Sequence, residues 1–240
     1  MEVNSLTVLS WNVRSLTSSR IADVHCYGTQ HNTDIILLQE TGDKCGTALK
    51  LNGYVGHHLQ VSVGVRGVST YVKSTIPSVL LVAPDIKDGI ESVCVEVHFQ
   101  DCVMNVINLY VSSNSFGVTA LPDPIFQGVM TLVAGDLNAR HRSLESGGKT
   151  NVNDTRLVQF LSDFPQARLL GSQEATHIQG GRLDYACLVN YQGVTGISIV
   201  ISDLLSDHFA IGIRLPLTKR KVQCDRKRLS LPKDKVDHFI

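Results

Sequence analysis

The chain has 240 residues, of which 43% are hydrophobic and 6% aromatic, with 22 basic and 22 acidic side chains. This composition predicts one domain, or at most two, with a large and mostly aliphatic core. Apolar runs stay shorter than the roughly 18 residues of a membrane-spanning helix, and the N-terminus lacks the basic-then-apolar pattern of a signal peptide. We therefore expect no membrane association.

The charges are unevenly distributed along the chain. Residues 219–240 contain eight Lys or Arg against three Asp or Glu, which leaves 14 basic and 19 acidic residues in 1–218. We expect a slightly acidic domain over residues 1–217 and a basic linker or tail over residues 218–240. The six cysteines are scattered without a C-x-x-C pair, which predicts reduced thiols in an intracellular protein rather than a zinc site or a dense disulfide framework.

Apolar runs of strand length recur through the whole domain. They cover residues 6–11, 34–38, 61–72, 78–83, 92–99, 102–111, 130–134, 183–189, 195–201 and 208–215. Helical spacing occurs only at about 18–30 and about 154–164, and segments 112–128 and 141–153 have loop composition. Many strands with few helices predict a β-sandwich with helices packed outside, an α+β layered domain.

Polar residues stand at the ends of several of these runs. Asn12 closes the first run, Glu40 follows DIILLQ, and Tyr110 follows VINL. Carboxylates are costly beside a core unless they bind a metal, a charge or a proton, so acids delivered to one rim indicate a metal-assisted hydrolytic site. Each residue alone has an ordinary alternative: a strand-end cap for Asn12, a surface loop for Glu40 and a core-edge position for Tyr110.

The strongest single segment is GDLNARH at residues 135–141. Gly135 would let the backbone approach a ligand, and Asp136 and Asn138, two residues apart, would face the same way. Arg140 and His141 could contact flanking phosphates. Asp-x-Asn also occurs in turns for purely local hydrogen bonding, but the preceding apolar strand makes that alternative weaker here.

The third group of motifs comes from the C-terminal part of the domain. Gly180-Gly181 predicts a hairpin over Thr176–Arg182 that leads to Asp184, and Ser206-Asp207-His208 enters the last strand. A buried Asp that accepts the His N–H fixes the tautomer and raises the basicity of the imidazole, so we pair Asp184 with His208. A core histidine satisfied by local hydrogen bonds is the alternative.

Taken in order, these motifs resemble the endonuclease/exonuclease/phosphatase superfamily. They are WN (11–12), LQE (38–40), NLY (108–110), GDLNARH (135–141), T-H…RLDYA (176–186) and SDH (206–208). More narrowly, WNVRSL, LLQET and the Gly-rich VGVRGVSTYVKSTIP are similar to the apurinic-endonuclease-like domain of non-LTR (LINE-type) retrotransposons. The resemblance implies an α+β fold, a two-layered β-sandwich flanked by helices in four α/β/β/α layers. It also implies hydrolysis of phosphodiesters with Mg²⁺, for which Mn²⁺ would substitute.

The resemblance also implies roles for the metal ligands and the catalytic groups. Glu40 and Asn12 would hold the metal, with Asp207 as a candidate second contact. Asp136 would orient the water, and Asn138 with Tyr110 would position the scissile phosphate. Asp184 with His208 would stabilise the transition state. Whether Asp136 or His208 is the general base stays open.

Further expectations concern the substrate and the partners. The candidate DNA contacts are Arg14, Arg140, His141, Thr176, Arg182 and Ser206. Thr176 and Ser206 would be donors either to a phosphate or in support of His208. The resemblance implies nicking of one strand of duplex DNA, so that the 3′-hydroxyl primes reverse transcription by a C-terminal reverse transcriptase on element RNA. The protein would be made in the cytoplasm and act in the nucleus. Alternatives are an abasic-site repair endonuclease, a phosphatase acting on lipid or inositol phosphates, and a non-catalytic module that keeps the fold.

Overall fold

The computed structural model describes residues 5–42, 49–61, 66–100, 102–112, 117, 121–140, 150–171, 173–191, 193 and 196–217. These residues form two β-sheets and two α-helices, with a single 3-10 turn at Asp123–Phe126. Within them, no helix is both long enough and apolar enough to cross a bilayer. The proposed tail and His141 lie outside the described residues.

The first sheet has six strands in the order β12-β13-β1-β2-β4-β3. Their bounds are β1 Leu6–Asn12, β2 Ile35–Gln39, β3 Tyr54–Leu59, β4 Val68–Lys73, β12 Ile197–Ile201 and β13 Ala210–Leu215. β1 and β2 are parallel, and the other neighbours are antiparallel.

The second sheet has the order β10-β11-β9-β8-β7-β5, and β6 also pairs with β7. Its strands are β5 Ser78–Leu80, β6 Asp85–Lys87, β7 Ile90–His98, β8 Val103–Val111, β9 Thr131–Asp136, β10 Ala167–Leu170 and β11 Asp184–Val189. β8 and β9 are its parallel pair.

The two sheets pack face to face, and one helix covers each outer face. In β2, Ile35 and Leu37 contribute to the core between the sheets, whereas Ile36 and Leu38 pack with the residues of helix α1. Successive strand residues face opposite sides, so a strand buried on both faces reads as a continuous apolar run. The same packing of α2 on the second sheet completes the predicted four layers, and the predicted fold class is confirmed.

Both helices begin at capping residues. α1 spans Ser18–Gln30, and the Thr17 side chain accepts a hydrogen bond from the Arg20 N–H. α2 spans Val152–Asp163, and the Asn151 side chain accepts from the Asp154 N–H. Such caps satisfy N–H groups that have no partner inside the helix. The first helix agrees with the predicted bounds, and the second begins two residues earlier than expected.

Three strands were not expected from the sequence: β3, β6 and β10. β3 is an edge strand, half-exposed, with a glycine and two histidines, so it lacks an apolar pattern. β6 consists of three exposed residues, and β10 has only four. Of the expected strand over 61–72, the structure forms β4 from Val68 onward, whereas residues 61, 66 and 67 are not in a strand and residues 62–65 lie outside the described residues. Short edge strands are held mainly by backbone pairing to a neighbour, which composition does not reveal.

Candidate active site

Asp136 lies at the end of β9, where the two sheets meet. In the second sheet it is in register with Tyr110 of parallel β8 and with Asp184 of antiparallel β11. Across the sandwich, Asn12 at the end of β1 donates a hydrogen bond from Nδ2 to Asp136 Oδ2 over 2.9 Å. The ends of strands from both sheets therefore converge on one buried carboxylate.

Gly135 explains why Asp136 reaches this position. Its φ is +149°, and a Cβ added there would lie 1.8 Å from the carbonyl oxygen of Leu109. β9 can therefore pair this closely with β8 only if residue 135 has no side chain. The close approach that Gly135 allows in the structure is to the neighbouring strand, and its approach to a ligand stays a prediction.

The pairing of Asp184 with His208 is present in the structure. His208 Nδ1 lies 2.9 Å from Asp184 Oδ2, and its Nε2 lies 3.9 Å from Asp136 Oδ2. The Trp11 indole donates to the backbone oxygen of His208 over 3.1 Å, which anchors this residue to the first sheet. The imidazole thus lies between two buried carboxylates, with Nδ1–H donated to Asp184.

This arrangement changes the pKa values of His208 and Asp136. Burial lowers the pKa of His208, but the hydrogen bond that it donates to Asp184 and the charges of Asp184 and Asp136 outweigh this effect and raise the pKa to about 9. Burial, and then the charge of Asp184, raise the pKa of Asp136, against the opposing effect of His208. The cluster therefore favours a cationic imidazole and requires a positive charge or a proton beside Asp136.

Glu40 and Tyr110 form the other side of the cleft. Glu40 has φ +50°, a left-handed conformation, and its side chain is within hydrogen-bonding reach of the Tyr110 hydroxyl. Burial, followed by the charges of Glu40 and Asp136, raises the pKa of Tyr110 well above its usual range. The phenol therefore stays protonated and can donate a hydrogen bond. Among the described residues, Glu40 forms no ion pair.

Asn138 is held tightly against Asp136. It has φ +47°, and its N–H donates to Asp136 Oδ1 over 2.9 Å. Its Nδ2 donates to the Val111 carbonyl over 2.9 Å, and Asn151 Nδ2 donates to the Asn138 carbonyl over 2.7 Å. The amide side chain is therefore oriented by its nitrogen, and its Oδ1 accepts no hydrogen bond within the described part of the chain.

Residues 9–208 match the family model described as the Endonuclease/Exonuclease/phosphatase family. The chain belongs to this family. The match covers the strand ends that carry Asn12, Glu40, Tyr110, Asp136 and Asp184. It also extends to His208, so the assembled set of acids, amides and imidazole is that of an enzyme of the family.

Solved structures with this fold support the assignment. The endonuclease domain of TRAS1, a telomere-specific non-LTR retrotransposon, superposes with a TM-score of 0.70 at 14% identity, over 90% of this chain and 100% of that one. A family protein from Leptotrichia buccalis gives 0.63 at 14% identity, over 88% and 99%. The Xenopus laevis APE2 catalytic domain gives 0.61 at 16% identity, over 90% and 94%. A search of curated proteins finds no match.

Enzymes of the family depend on a metal, and two groups of residues here could hold one. The ligand atoms of Asp136, Asp184 and His208 lie within 4.8 Å of one another. However, a cationic His208 with Nδ1–H donated to Asp184 has no lone pair to offer a metal. The Glu40 carboxylate, lacking an ionic partner among the described residues, has the oxygen ligands that Mg²⁺ prefers and fits the metal better.

Asp207 and Ser206 take different positions from those expected. The Asp207 carboxylate forms an ion pair with Arg14, whose side chain is 64% exposed. Burial alone would raise the pKa of Asp207, but Arg14 and His208 outweigh it and hold this pKa below its usual range. The Ser206 hydroxyl donates to the backbone oxygen of Asn12 over 2.9 Å, so it supports the strand end. The structure pairs Asp207 with an arginine at the position where a metal contact was expected.

Two of the expected DNA contacts are wrong. Thr176 is 1% exposed, and its hydroxyl accepts hydrogen bonds from the N–H groups of Leu183 and Asp184 over 2.9 and 3.0 Å. Arg182 is 5% exposed and donates from Nη2 to the Leu170 carbonyl over 2.8 Å, with its guanidinium over the Tyr185 ring. Both side chains hold the turn that positions Asp184 and cannot reach a ligand in solvent.

Arg140 is another expected DNA contact among the described residues. Its Nη2 donates to the Gly180 carbonyl over 2.8 Å, and the guanidinium lies directly against Gly181. The side chain is half-buried, and it braces the tight turn in which the Thr176 N–H bonds to the Gly181 carbonyl over 3.0 Å. Its phosphate contact stays a prediction.

Sequence reasoning assigned no role to His177. Its ring packs edge-on against His208 with centroids 4.9 Å apart, and its Nε2 lies 4.0 Å from Asp207 Oδ2. Burial and the neighbouring His208 lower its pKa, so it is a neutral imidazole beside a cationic one. In the sequence, only its position directly after Thr176 pointed to a role. Its contact with His208 could not be predicted, because it depends on a β-bridge between distant segments.

Gln39 and Asn108 were also missed. Gln39 Nε2 donates to Asn108 Oδ1 over 2.7 Å, and Asn108 Nδ2 donates to the carbonyl oxygens of Leu38 and Ser69 over 3.1 and 3.0 Å. This buried bridge ties the second sheet to the first directly beneath the site. Both amides belong to motifs that the sequence analysis singled out, LQE and NLY, but only Glu40 and Tyr110 were assigned a role there.

Proposed function

We propose that this chain is a Mg²⁺-dependent endonuclease that nicks one strand of duplex DNA and leaves a 3′-hydroxyl for target-primed reverse transcription. The observation that carries the proposal is the convergence of Asn12, Asp184 and His208 on the buried Asp136, beside Glu40. Buried acids facing one imidazole are costly to assemble, and phosphoryl transfer uses such a site for positioning and charge stabilisation.

The protonation states divide the work between Asp136 and His208. A cationic His208 is a poor base but a good donor, so it stabilises the charge that develops on the phosphoryl oxygens. Asp136 orients the attacking water and accepts its proton. Asn138 and the Tyr110 phenol position the scissile phosphate by hydrogen bonds. The P–O3′ bond breaks, giving a 5′-phosphate and a 3′-hydroxyl whose proton comes from solvent.

Glu40 would hold the Mg²⁺ as the single carboxylate anchor, with the Asn12 amide oxygen beside it. When bound, the cation neutralises charge on the phosphate and on its leaving oxygen. Asn12 already donates from Nδ2 to Asp136, and its Oδ1 accepts from the Arg14 N–H over 3.1 Å. This fixed amide links the metal side of the cleft to the water-orienting carboxylate. Asp207, paired with Arg14, would hold that arginine near the DNA.

DNA as the substrate is supported by two observations. The fold of the TRAS1 retrotransposon endonuclease domain superposes over nearly the whole chain. Residues 219–240 carry eight basic against three acidic side chains, which suits a linker that lies near nucleic acid. A reverse transcriptase domain beyond this linker, element RNA as its template and action in the nucleus follow from the same proposal.

An abasic-site repair endonuclease is the second candidate, because the APE2 catalytic domain shares the fold. Incubation with supercoiled plasmid and Mg²⁺, in parallel with a duplex oligonucleotide containing one abasic site, separates the two. The nicking enzyme converts undamaged plasmid to open circles with ends that a DNA polymerase extends. Cleavage of the abasic oligonucleotide alone, with intact plasmid, would support the repair enzyme instead.

A further inference from the structure

Glu91, at the start of β7, is a fully buried carboxylate outside the set described above. Its side chain is 0% exposed, and both oxygens have partners. Oε1 accepts a hydrogen bond from Arg66 Nε in an ion pair, and Oε2 accepts from the Gly67 N–H over 2.7 Å. Burying a carboxylate so completely is costly, so the charge of Arg66 is needed to hold it there.

The Arg66–Glu91 pair lies next to the Glu40 side of the cleft. Glu91 is in register with Tyr110 across β7 and β8. The Arg66 carbonyl accepts a hydrogen bond from the Gly42 N–H over 3.1 Å, and the Gly67 carbonyl accepts from Thr41 over 3.0 Å. The segment that carries Arg66 therefore pairs directly with the residues that follow Glu40.

Arg66 is anchored to Glu91 by Nε alone. Its side chain is 41% exposed, and the described residues offer no hydrogen-bond partner to its two terminal nitrogens. Other arginines near the cleft use their terminal nitrogens on the protein: Arg140 on Gly180 and Arg20 on Val13. A guanidinium fixed at Nε with free terminal N–H groups has the fork geometry that binds phosphate oxygens.

We propose that Arg66 binds a backbone phosphate of the cleaved DNA strand, next to the scissile phosphate on the Glu40–Tyr110 side. The ligand class is a phosphodiester, and the contact is independent of base sequence. This inference rests on the proposed function for the presence of DNA, and Glu91 acts as the positioning residue that aims the guanidinium.

The test is a set of DNA affinities measured by fluorescence anisotropy on a duplex oligonucleotide, in EDTA, over a series of salt concentrations. The variants are Arg66→Gln, Glu91→Gln and the double variant. Arg214→Gln is the matched control, because Arg214 is exposed and pairs in register with Thr7, at the opposite end of β1 from Asn12. Thermal melting checks the folding of each variant.

We expect Arg66→Gln to weaken binding about tenfold and to reduce the slope of log K against log salt by about one. Glu91→Gln should keep the slope, since the arginine charge remains. The double variant, which leaves no unpaired buried charge, should bind as weakly as Arg66→Gln. Arg214→Gln should match the wild type.

Restored affinity in the double variant would mean that Arg66 only neutralises Glu91, and an unchanged slope in Arg66→Gln would mean that no phosphate is contacted. Either result overturns the inference while wild-type nicking leaves the proposed function intact. A wild-type protein that neither binds nor nicks duplex DNA overturns both.

Discussion

The two sides of the cleft differ in how completely the protein satisfies them. We define the imidazole side as Asp136, Asp184 and His208. There the ring is hydrogen-bonded to Asp184 over 2.9 Å, and its Nε2 lies 3.9 Å from Asp136 Oδ2. On the glutamate side, defined as Glu40 with Tyr110, the carboxylate has a phenol for a neighbour but no ionic partner among the described residues.

This difference indicates that the two sides of the cleft are brought into their active arrangement in different ways. The imidazole side is assembled by the fold itself, so its geometry should survive without metal or substrate. Under the proposed function, the glutamate side would be complete only when a cation and a phosphate bind. Charge stabilisation by fixed groups requires no reorganisation during reaction, whereas a metal that keeps several waters needs only one firm anchor.

The largest expected effect is the loss of the fixed charges on the imidazole side. His208→Ala or Asp136→Ala should lower the nicking rate about 10³-fold, because each removes stabilisation made in the transition state. The rate of plasmid nicking checks this prediction, and circular dichroism checks that each variant is folded. His31→Ala, at an exposed histidine after α1, is the control. Near-native rates in both active-site variants would contradict the assignment.

The second prediction concerns the pH dependence of the metal-free protein. His208 has its pKa raised from 6.5 to about 9. The stability that this shift contributes is therefore complete below pH 6.5 and lost as the pH rises through about 9. The raised pKa of Asp136 acts in the same direction, because its ionisation also costs stability as the pH rises.

Urea unfolding in EDTA at pH 6 and at pH 9.5 measures this loss, which we expect to be up to about 3 kcal/mol for His208. The His208→Gln variant should lose less stability over the same interval. If this variant loses as much stability as the wild type, the pH-dependent loss does not come from the charged imidazole between the two acids.

The third prediction separates the two sides by their response to metal. Glu40→Gln should raise the half-saturating Mg²⁺ concentration about tenfold and recover much of its rate at high Mg²⁺. Asp184→Asn should lower the maximal rate with little change in Mg²⁺ dependence. Glu96→Gln, on β7, is the control for a neutralised glutamate. The reverse pattern would place the metal on the imidazole side.

The last prediction concerns stability rather than activity, at the support beneath Asp184. Thr176→Val leaves the N–H groups of Leu183 and Asp184 without their acceptor and should lower stability by about 2 kcal/mol. Thr176→Ser keeps the hydroxyl and should stay close to the wild type. Thermal melting together with DNA affinity checks both variants. If Thr176→Val binds DNA more weakly at unchanged stability, Thr176 contacts a phosphate after all, despite its buried position.

The sequence predicted which strand ends carry the acids and the imidazole that meet in the cleft, because Asp136, Asp184 and His208 interrupt or adjoin apolar runs, where a carboxylate or imidazole is costly without a partner. It did not predict which polar side chains turn inward. Thr176 and Arg182 stand in a polar stretch with glycines, yet the turn buries both. That outcome depends on contacts with Leu170 and with the backbone of residues 183–184, which form only when the chain is folded.

The role of Gly135 and the Arg66–Glu91 pair were beyond sequence reasoning for a related reason. Gly135 is required by its distance to Leu109 in a neighbouring strand, and Glu91 finds Arg66 across 25 positions of the chain. Periodicity describes the faces of one element, whereas these contacts depend on the register between elements.

The most direct test of the account is a crystal of this protein soaked with Mn²⁺ and measured at the manganese absorption edge. We predict an anomalous peak bound by the Glu40 carboxylate, next to Asn12 and facing Asp136, with His208 Nε2 free of metal. A peak bound by His208 and Asp184, or one outside the cleft between the strand ends, would contradict the division of labour proposed for this site.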